Sequence, residues 1–361
     1  MLQGSVVVTH AIDGASGRLQ ESVAQRVGEA FALVGEPQGR FVFAAHDGPY
    51  SPPRDGSVVA YAPDPSTGSL TTLSEAPVTH GMEWYWLSAS STRVYGMMFR
   101  YTGHTYPRLV SFAVGGDGRL GPGSARDFER DWDPWVALDA DASPDVFYNS
   151  TPTGGLAAHF VEPDGSLKQM GGSHLCFATG IDHPRPLAAA RGFLFASALL
   201  SAASRETVCS WEGPRLAPRA NLGLQAHRAV ALVARDDASS PTATASATTL
   251  VAMVLGSPAS VNHSVRLFAM GGDGDLAPLD TVTGPWRVRQ LAFHPSGRFL
   301  YVSHAPYDAE SLVGLSVYSI DSQGRLALVQ TLEDGGGAMA VTLARVPWPH
   351  TSGVRDALAR P

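Results

Sequence analysis

The stretch Val313-Gly314-Leu315-Ser316-Val317-Tyr318-Ser319-Ile320-Asp321-Ser322-Gln323-Gly324-Arg325-Leu326 decides the fold. Its first eight residues alternate apolar with small or polar side chains, a period of two that gives a strand two unlike faces. Asp321 to Gly324 reads as a tight turn, with the glycine supplying the positive φ that such a turn needs. Leu326 to Leu332 then returns as the partner strand.

The signature Gly-x-Leu recurs along the chain. It stands at Gly17-Arg18-Leu19, Gly68-Ser69-Leu70, Gly118-Arg119-Leu120, Gly165-Ser166-Leu167, Gly274-Asp275-Leu276 and Gly324-Arg325-Leu326. A looser copy, Gly213-Pro214-Arg215-Leu216, fills the one gap, and the leucines then lie 51, 50, 47, 49, 60 and 50 residues apart. Between these hairpins run pairs of continuously apolar strands, such as Gln290 to Phe293 and Phe299 to Ser303 around the turn His294-Pro295-Ser296-Gly297. Apolar on both faces, they suit burial between packed sheets. Four strands per repeat, seven repeats and no helical period predict an all-β, seven-bladed β-propeller with four-stranded blades.

The repeat spans residues 1–346 as one domain, with a loop insertion at about 236–249 and a C-terminal tail at 347–361. The chain starts on an outer hairpin, Ser5 to Val27, and ends on an inner-type strand, Ala338 to Val346. Strands from the two termini are therefore expected to share the last blade and close the ring, which removes open edges.

Composition narrows the function. A formal net charge of −7 argues against a general nucleic-acid binder. Two cysteines, Cys176 and Cys209, make neither a disulfide framework nor a zinc pattern. No apolar run has the length of a membrane span, and Met1 to Thr9 lacks the pattern of a signal peptide, so a cytoplasmic monomer is expected. Gly115-Gly116-Asp117-Gly118 and Gly271-Gly272-Asp273-Gly274 are hairpin turns, not phosphate loops, because neither precedes a helix. Gly172-Ser173-His174 makes no nucleophile elbow.

The run His294-Pro295-Ser296-Gly297-Arg298-Phe299-Leu300-Tyr301-Val302 resembles the lactonase-like seven-bladed propeller family, which includes the fungal carboxymuconate-lactonizing enzyme and propeller-type 6-phosphogluconolactonase. That resemblance implies a substrate held at one mouth of the central channel by residues leading into the innermost strands. Asp182-His183-Pro184-Arg185 looks like the Asp-His-Pro-Arg motif of the cyclase, and Arg228 stands where the cyclase also has an Arg. Two guanidinium forks suit a carboxylated molecule, and Arg289 would be a third. His183 and His227 are the proton-transfer candidates, because free imidazole titrates near neutral pH. Asp133 and Glu83 would orient a histidine or act directly. His80, Trp84 and Trp135 would line the mouth, within Trp84-Tyr85-Trp86 and Trp132-Asp133-Pro134-Trp135.

Departures accompany the match. The family's third-blade His is Pro134 here, and its second-strand Glu falls in the apolar run Ala198-Leu199-Leu200. The expected function is a cofactor-independent cyclase, isomerase or lactonase acting on a small carboxylated, anionic substrate. One alternative is a non-catalytic propeller scaffold that binds a protein partner. Another is a metal-dependent lactonase holding calcium through Glu83, Asp133 and Asn149, against which the arginines at the same mouth would work.

Overall fold

The computed structural model describes residues 5–28, 30–46, 56–78, 83–99, 108–127, 136–138, 146–150, 156–162, 167–171, 181–190, 193–200, 205–212, 217–221, 226–235, 248–255, 263–284, 286–306 and 313–334. Strand follows strand. β1 (Ser5–Ile12) and β2 (Leu19–Gly28) pair as a two-stranded antiparallel sheet. Sheet one is β3 (Ala30–Gly35), β4 (Val42–His46), β5 (Gly56–Pro63) and β6 (Leu70–Val78). Sheet two is β7 (Glu83–Ala89), β8 (Arg93–Phe99), β9 (Arg108–Val114) and β10 (Leu120–Asp127). Sheet three is β11 (Val136–Leu138), β12 (Val146–Ser150), β13 (Leu156–Val161) and β14 (Leu167–Gly171). Sheet four is β15 (Ile181–Ala190), β16 (Phe193–Leu200), β17 (Arg205–Glu212) and β18 (Ala217–Asn221). Sheet five is β19 (Ala226–Arg235), β20 (Thr248–Leu255), β21 (His263–Met270) and β22 (Leu276–Gly284). Sheet six is β23 (Trp286–Phe293), β24 (Phe299–Pro306), β25 (Val313–Ile320) and β26 (Leu326–Asp334).

Every sheet is an up-and-down meander. The first strands touch one another in order, β3 with β7, β7 with β11, β11 with β15, β15 with β19 and β19 with β23. Burial follows position. In sheet one β4 and the first six residues of β5 are almost wholly buried, while β6 alternates towards solvent. The seams between sheets are apolar. Phe41, Phe43, Val58 and Ala60 of sheet one meet Trp84, Val94, Met98 and Phe112 of sheet two. Leu250, Val265 and Leu267 of sheet five meet Val288, Leu291, Leu300 and Tyr318 of sheet six. Burying each large side chain contributes about 1.5–3 kcal/mol.

The Gly-x-Leu turns are where sheets lock together. Gly17, Gly68, Gly118, Gly274 and Gly324 have φ of 71°, 75°, 80°, 85° and 76°, as the turn reading requires. Several also lie directly on the preceding sheet. A Cβ at Gly118 would overlap Phe41 and Leu73, and one at Gly324 would overlap Leu279. The leucine that follows is held by a polar side chain of that same preceding sheet. Leu120 N–H donates to Ser74 Oγ at 2.8 Å, and Leu326 N–H donates to Asp280 Oδ2 at 2.7 Å. Leu70 exchanges two bonds with the Gln25 amide at 2.8 and 2.7 Å. Leu19 does the same with Gln330 at 2.9 and 3.3 Å, across 311 residues of chain.

Register explains how the outermost strands reach so far. In every four-stranded sheet the middle pair of strands is regular, whereas the last pair slips. The slips leave Leu73, Leu279 and Val329 unpaired, each just before Ser74, Asp280 or Gln330. A bulge re-aims the strand locally. Here it sends an apolar residue and then a polar one into the next seam.

The β1–β2 sheet packs on two sides. Val7 and Val27 join Val42, Ala44 and Tyr61 of sheet one. Ile12 and Leu19 join Phe299, Tyr301 and Val317 of sheet six. The expected closing strand, Ala338 to Val346, lies outside the described residues. One boundary is corrected: Thr248 and Thr249 belong to β20, paired with Arg235 and Ala234, not to the loop insertion. Their β-branched side chains extend the strand.

Gly118→Ala is expected to destabilise by about 2–4 kcal/mol, combining a strained positive φ with an overpacked seam. Gly272→Ala, where a Cβ meets nothing within 4 Å, is expected to shift stability by less than about 0.5 kcal/mol. Urea unfolding of the two variants checks the contrast.

Candidate functional site

Four of the six first strands, β7, β15, β19 and β23, carry the candidate ionisable residues. Glu83 opens β7, His183 and Arg185 lie near the start of β15, His227 and Arg228 near the start of β19, and Arg289 is the fourth residue of β23. Because β15, β19 and β23 are successive neighbours, the fold brings His183, Arg185, His227, Arg228 and Arg289 onto the leading halves of three adjoining strands. Glu83 stands apart on β7, with β11 between it and β15. His80, Asp133 and Trp135 lie outside the described residues.

Register breaks recur at these leading halves. On β15, Asp182 pairs with Leu199 and Arg185 with Ser197, so His183 and Pro184 face a single residue, Ala198. Proline has no N–H to donate, which suits an unpaired position. On β19, Ala226 pairs with Leu255 and Val230 with Met253, so His227, Arg228 and Ala229 face Val254 alone. On β23, Arg289 is the extra residue between Val288 and Gln290. Breaks of this kind are over-represented beside active sites, where they re-aim a side chain.

Trp84 is a correction. It was expected at the substrate wall, but it is 2% exposed in the seam between sheets one and two. Its indole N–H donates to the His46 carbonyl oxygen at 2.9 Å, and Gly96 leaves room beneath its ring. A buried indole needs such an acceptor, and the neighbouring strand end supplies it. Asn149, weighed as a calcium ligand, is fully buried on β12, between β11 and β13. Among the described residues no group of three or more His, Cys, Asp and Glu is placed to hold a metal ion.

The structure also reveals buried polar pairs that sequence reading missed. His304 Nε2 meets Ser316 Oγ at 2.8 Å, its ring lies over Gly314, and it stacks on Trp286 at 5.3 Å between centroids. Ser316 Oγ in turn meets Thr331 Oγ1 at 3.2 Å. His263 Nδ1 accepts the Val288 N–H at 3.2 Å, tying sheet five to sheet six. His46 Nε2 meets the Tyr61 hydroxyl at 3.4 Å. His46 ends β4 and His263 begins β21, places where sequence pattern reads only a boundary, and His304 stands two residues before the end of β24.

No known protein family matches the sequence, and no curated protein matches it either. Solved structures do. A chain of the mitotic checkpoint complex crystal structure shares 15% identity, with 85% of each chain covered and a TM-score of 0.51. The β-propeller domain of the Trilobed protease from Pyrococcus furiosus shares 9% identity over 90% of this chain and 93% of that one, with a TM-score of 0.50. The Dos1 propeller shares 10% identity over 87% and 75%, with a TM-score of 0.49. The first two likenesses show the fold: the chain is all-β, of the β-propeller kind. At these identities they say nothing of activity, and the lactonase resemblance rests on its short motifs alone.

Burial lowers the His46 pKa from its ordinary 6.5, outweighing the opposing charge of Glu75. The fold thus favours neutral His46. Its contribution to stability is complete above about pH 6.5 and falls away as pH drops below that value, because the unfolded chain then binds the proton more readily. Urea midpoints at pH 7.5 and 5.5 are expected to fall further for the wild type than for His46→Gln.

Proposed function

We propose that this chain is a seven-bladed propeller that serves as a binding platform for a protein partner and performs no chemistry itself. The ring is inferred from the β1–β2 sheet, which packs against sheet six on one side and sheet one on the other. In this reading Ala338 to Val346 adds the strand that completes the seventh blade. The observation that carries the platform reading is the placement of exposed apolar side chains. Among the described residues, Met170 and Leu328 are large apolar side chains 45% and 60% exposed on the outermost strands β14 and β26. Exposed apolar groups on outermost strands are what a partner would cover. The solved likeness from the mitotic checkpoint complex, itself an assembly, is consistent with such a use.

A second reading keeps the cyclase or lactonase on a small carboxylated substrate, favoured by the clustering of His183, Arg185, His227, Arg228 and Arg289 on adjoining strands. Against it stands the apolar run Ala198-Leu199-Leu200, where the family resemblance calls for an acid.

A photo-cross-linking residue at Ala327, beside Leu328 on β26, is expected to capture one discrete partner in the cells that make this protein. Leu328→Asp should abolish that capture without moving the thermal midpoint. Equal capture from a cross-linker at Gly116, on a remote turn, would sink the platform reading. Turnover of a lactone or muconate that disappears in Arg185→Ala and Arg228→Ala would establish the second reading instead.

A further inference from the structure

Two turns of the chain share one plan. Glu36-Pro37-Gln38-Gly39-Arg40-Phe41 leads from β3 into β4, and His294-Pro295-Ser296-Gly297-Arg298-Phe299 leads from β23 into β24. Their backbones match. The N–H of the first residue donates to the phenylalanine carbonyl at 3.0 and 2.9 Å, and the glycine N–H donates to the first residue's carbonyl at 2.7 and 2.8 Å. The glycines have φ of 74° and 66°. In both turns the guanidinium lies over the phenylalanine ring, at 5.1 and 5.7 Å. Each phenylalanine in turn seats a turn glycine of another sheet, Phe41 under Gly118 and Phe299 under Gly17. What differs is the anion. In sheet one the Glu36 carboxylate accepts the Arg40 N–H at 3.1 Å and pairs with the Arg40 guanidinium at 2.7 Å. In sheet six His294 stands in place of that acid, and the Arg298 N–H donates to Ser296 Oγ at 3.3 Å. Arg298 is exposed, and among the described residues no carboxylate pairs with it. Ser296 is exposed too, with His294 Nδ1 at 2.8 Å from its hydroxyl.

We propose that Ser296 is a phosphorylation site, its phosphate taking for Arg298 the place that the Glu36 carboxylate takes for Arg40. In the transfer, Ser296 Oγ attacks the γ-phosphorus of a nucleoside triphosphate held by a kinase. The new O–P bond replaces the bond to the bridging oxygen, the nucleoside diphosphate leaves, and the hydroxyl proton passes to a base of the kinase. The oxygen that already accepts the Arg298 N–H becomes the ester oxygen, so the phosphate is attached beside the guanidinium. Phosphoserine brings a charge of about −1.5 to −2 and three strong acceptors, which an arginine fork matches. Other exposed turn serines lack this setting. Ser16 Oγ donates to Asp13 Oδ1 at 2.8 Å and Ser66 Oγ to Asp64 Oδ1 at 2.6 Å, so a phosphate on either would meet like charge. The modified turn lies at the joint where Phe299 receives Gly17 at the start of the chain. The site is independent of both functional readings above.

Phosphopeptide mapping of the full chain, purified from its own cells both growing and starved, is expected to find phosphate on Ser296 and none on Ser16 or Ser66. Absence from Ser296 in both samples, or equal occupancy of the three serines, overturns the site. The pairing with Arg298 is tested separately, by genetically encoding phosphoserine in place of Ser296 and following it by phosphorus NMR as pH varies. Its second ionisation, ordinarily near pH 6, is expected about half a pH unit lower, because the Arg298 cation favours the dianion. Arg298→Gln should move it back towards the ordinary value, with His294 present in both proteins so that the difference reports Arg298 alone. Phosphoserine in place of Ser16 should shift the opposite way, beside the Asp13 carboxylate. A titration unchanged by Arg298→Gln overturns the role given to Arg298.

Discussion

The structure depends on one recurring contact, in which the outermost strand of a sheet grips the turn of the next. A leucine N–H at the start of an outer strand would otherwise face an open seam. Ser74, Asp280, Gln25 and Gln330 satisfy it from the sheet before. Each such bond contributes only about 1 kcal/mol. Its value lies in direction, because an apolar seam alone would let two sheets slide. The Gln330–Leu19 pair is the same contact made between sheet six and the start of the chain. Apolar packing supplies the energy of the seams, and these polar grips set their phase.

The same economy explains why the turn signature is Gly-x-Leu and not simply Gly. Positive φ alone would admit an asparagine. At Gly118 and Gly324 the side chains of the preceding sheet occupy the space a Cβ would need. The glycine is thus selected twice, by its own backbone and by its neighbour. The outer-strand bulges are the other half of the device. They turn Leu73 and Leu279 into the seam and place the gripping residue one step later.

A scaffold locked in this way leaves the first strands free to vary. Their leading halves depart from regular pairing in sheet after sheet, while the middle strands remain in perfect register. Function in propellers is grafted onto such positions and does not follow from the fold. The candidate residues His183, Arg228 and Arg289 all stand at these departures.

The sequence by itself determined the repeat. Period-two alternation, the glycine turns and the spacing of the leucines are local properties, and they specified strand after strand without reference to the rest of the chain. It also marked the strands that carry His183, Arg185, His227, Arg228 and Arg289. What only the tertiary structure decided is which side chains face a seam. Trp84 looks in sequence like a wall of the mouth, yet the approach of His46 from the next sheet buries it. His263, His304 and Ser316 carry no local signal, because their partners are 12 residues or more away in sequence. Register slips are equally invisible in sequence, since a bulge is defined by the strand opposite. The physical reason is common to all of them: local pattern encodes the strand, and long-range packing chooses its neighbours.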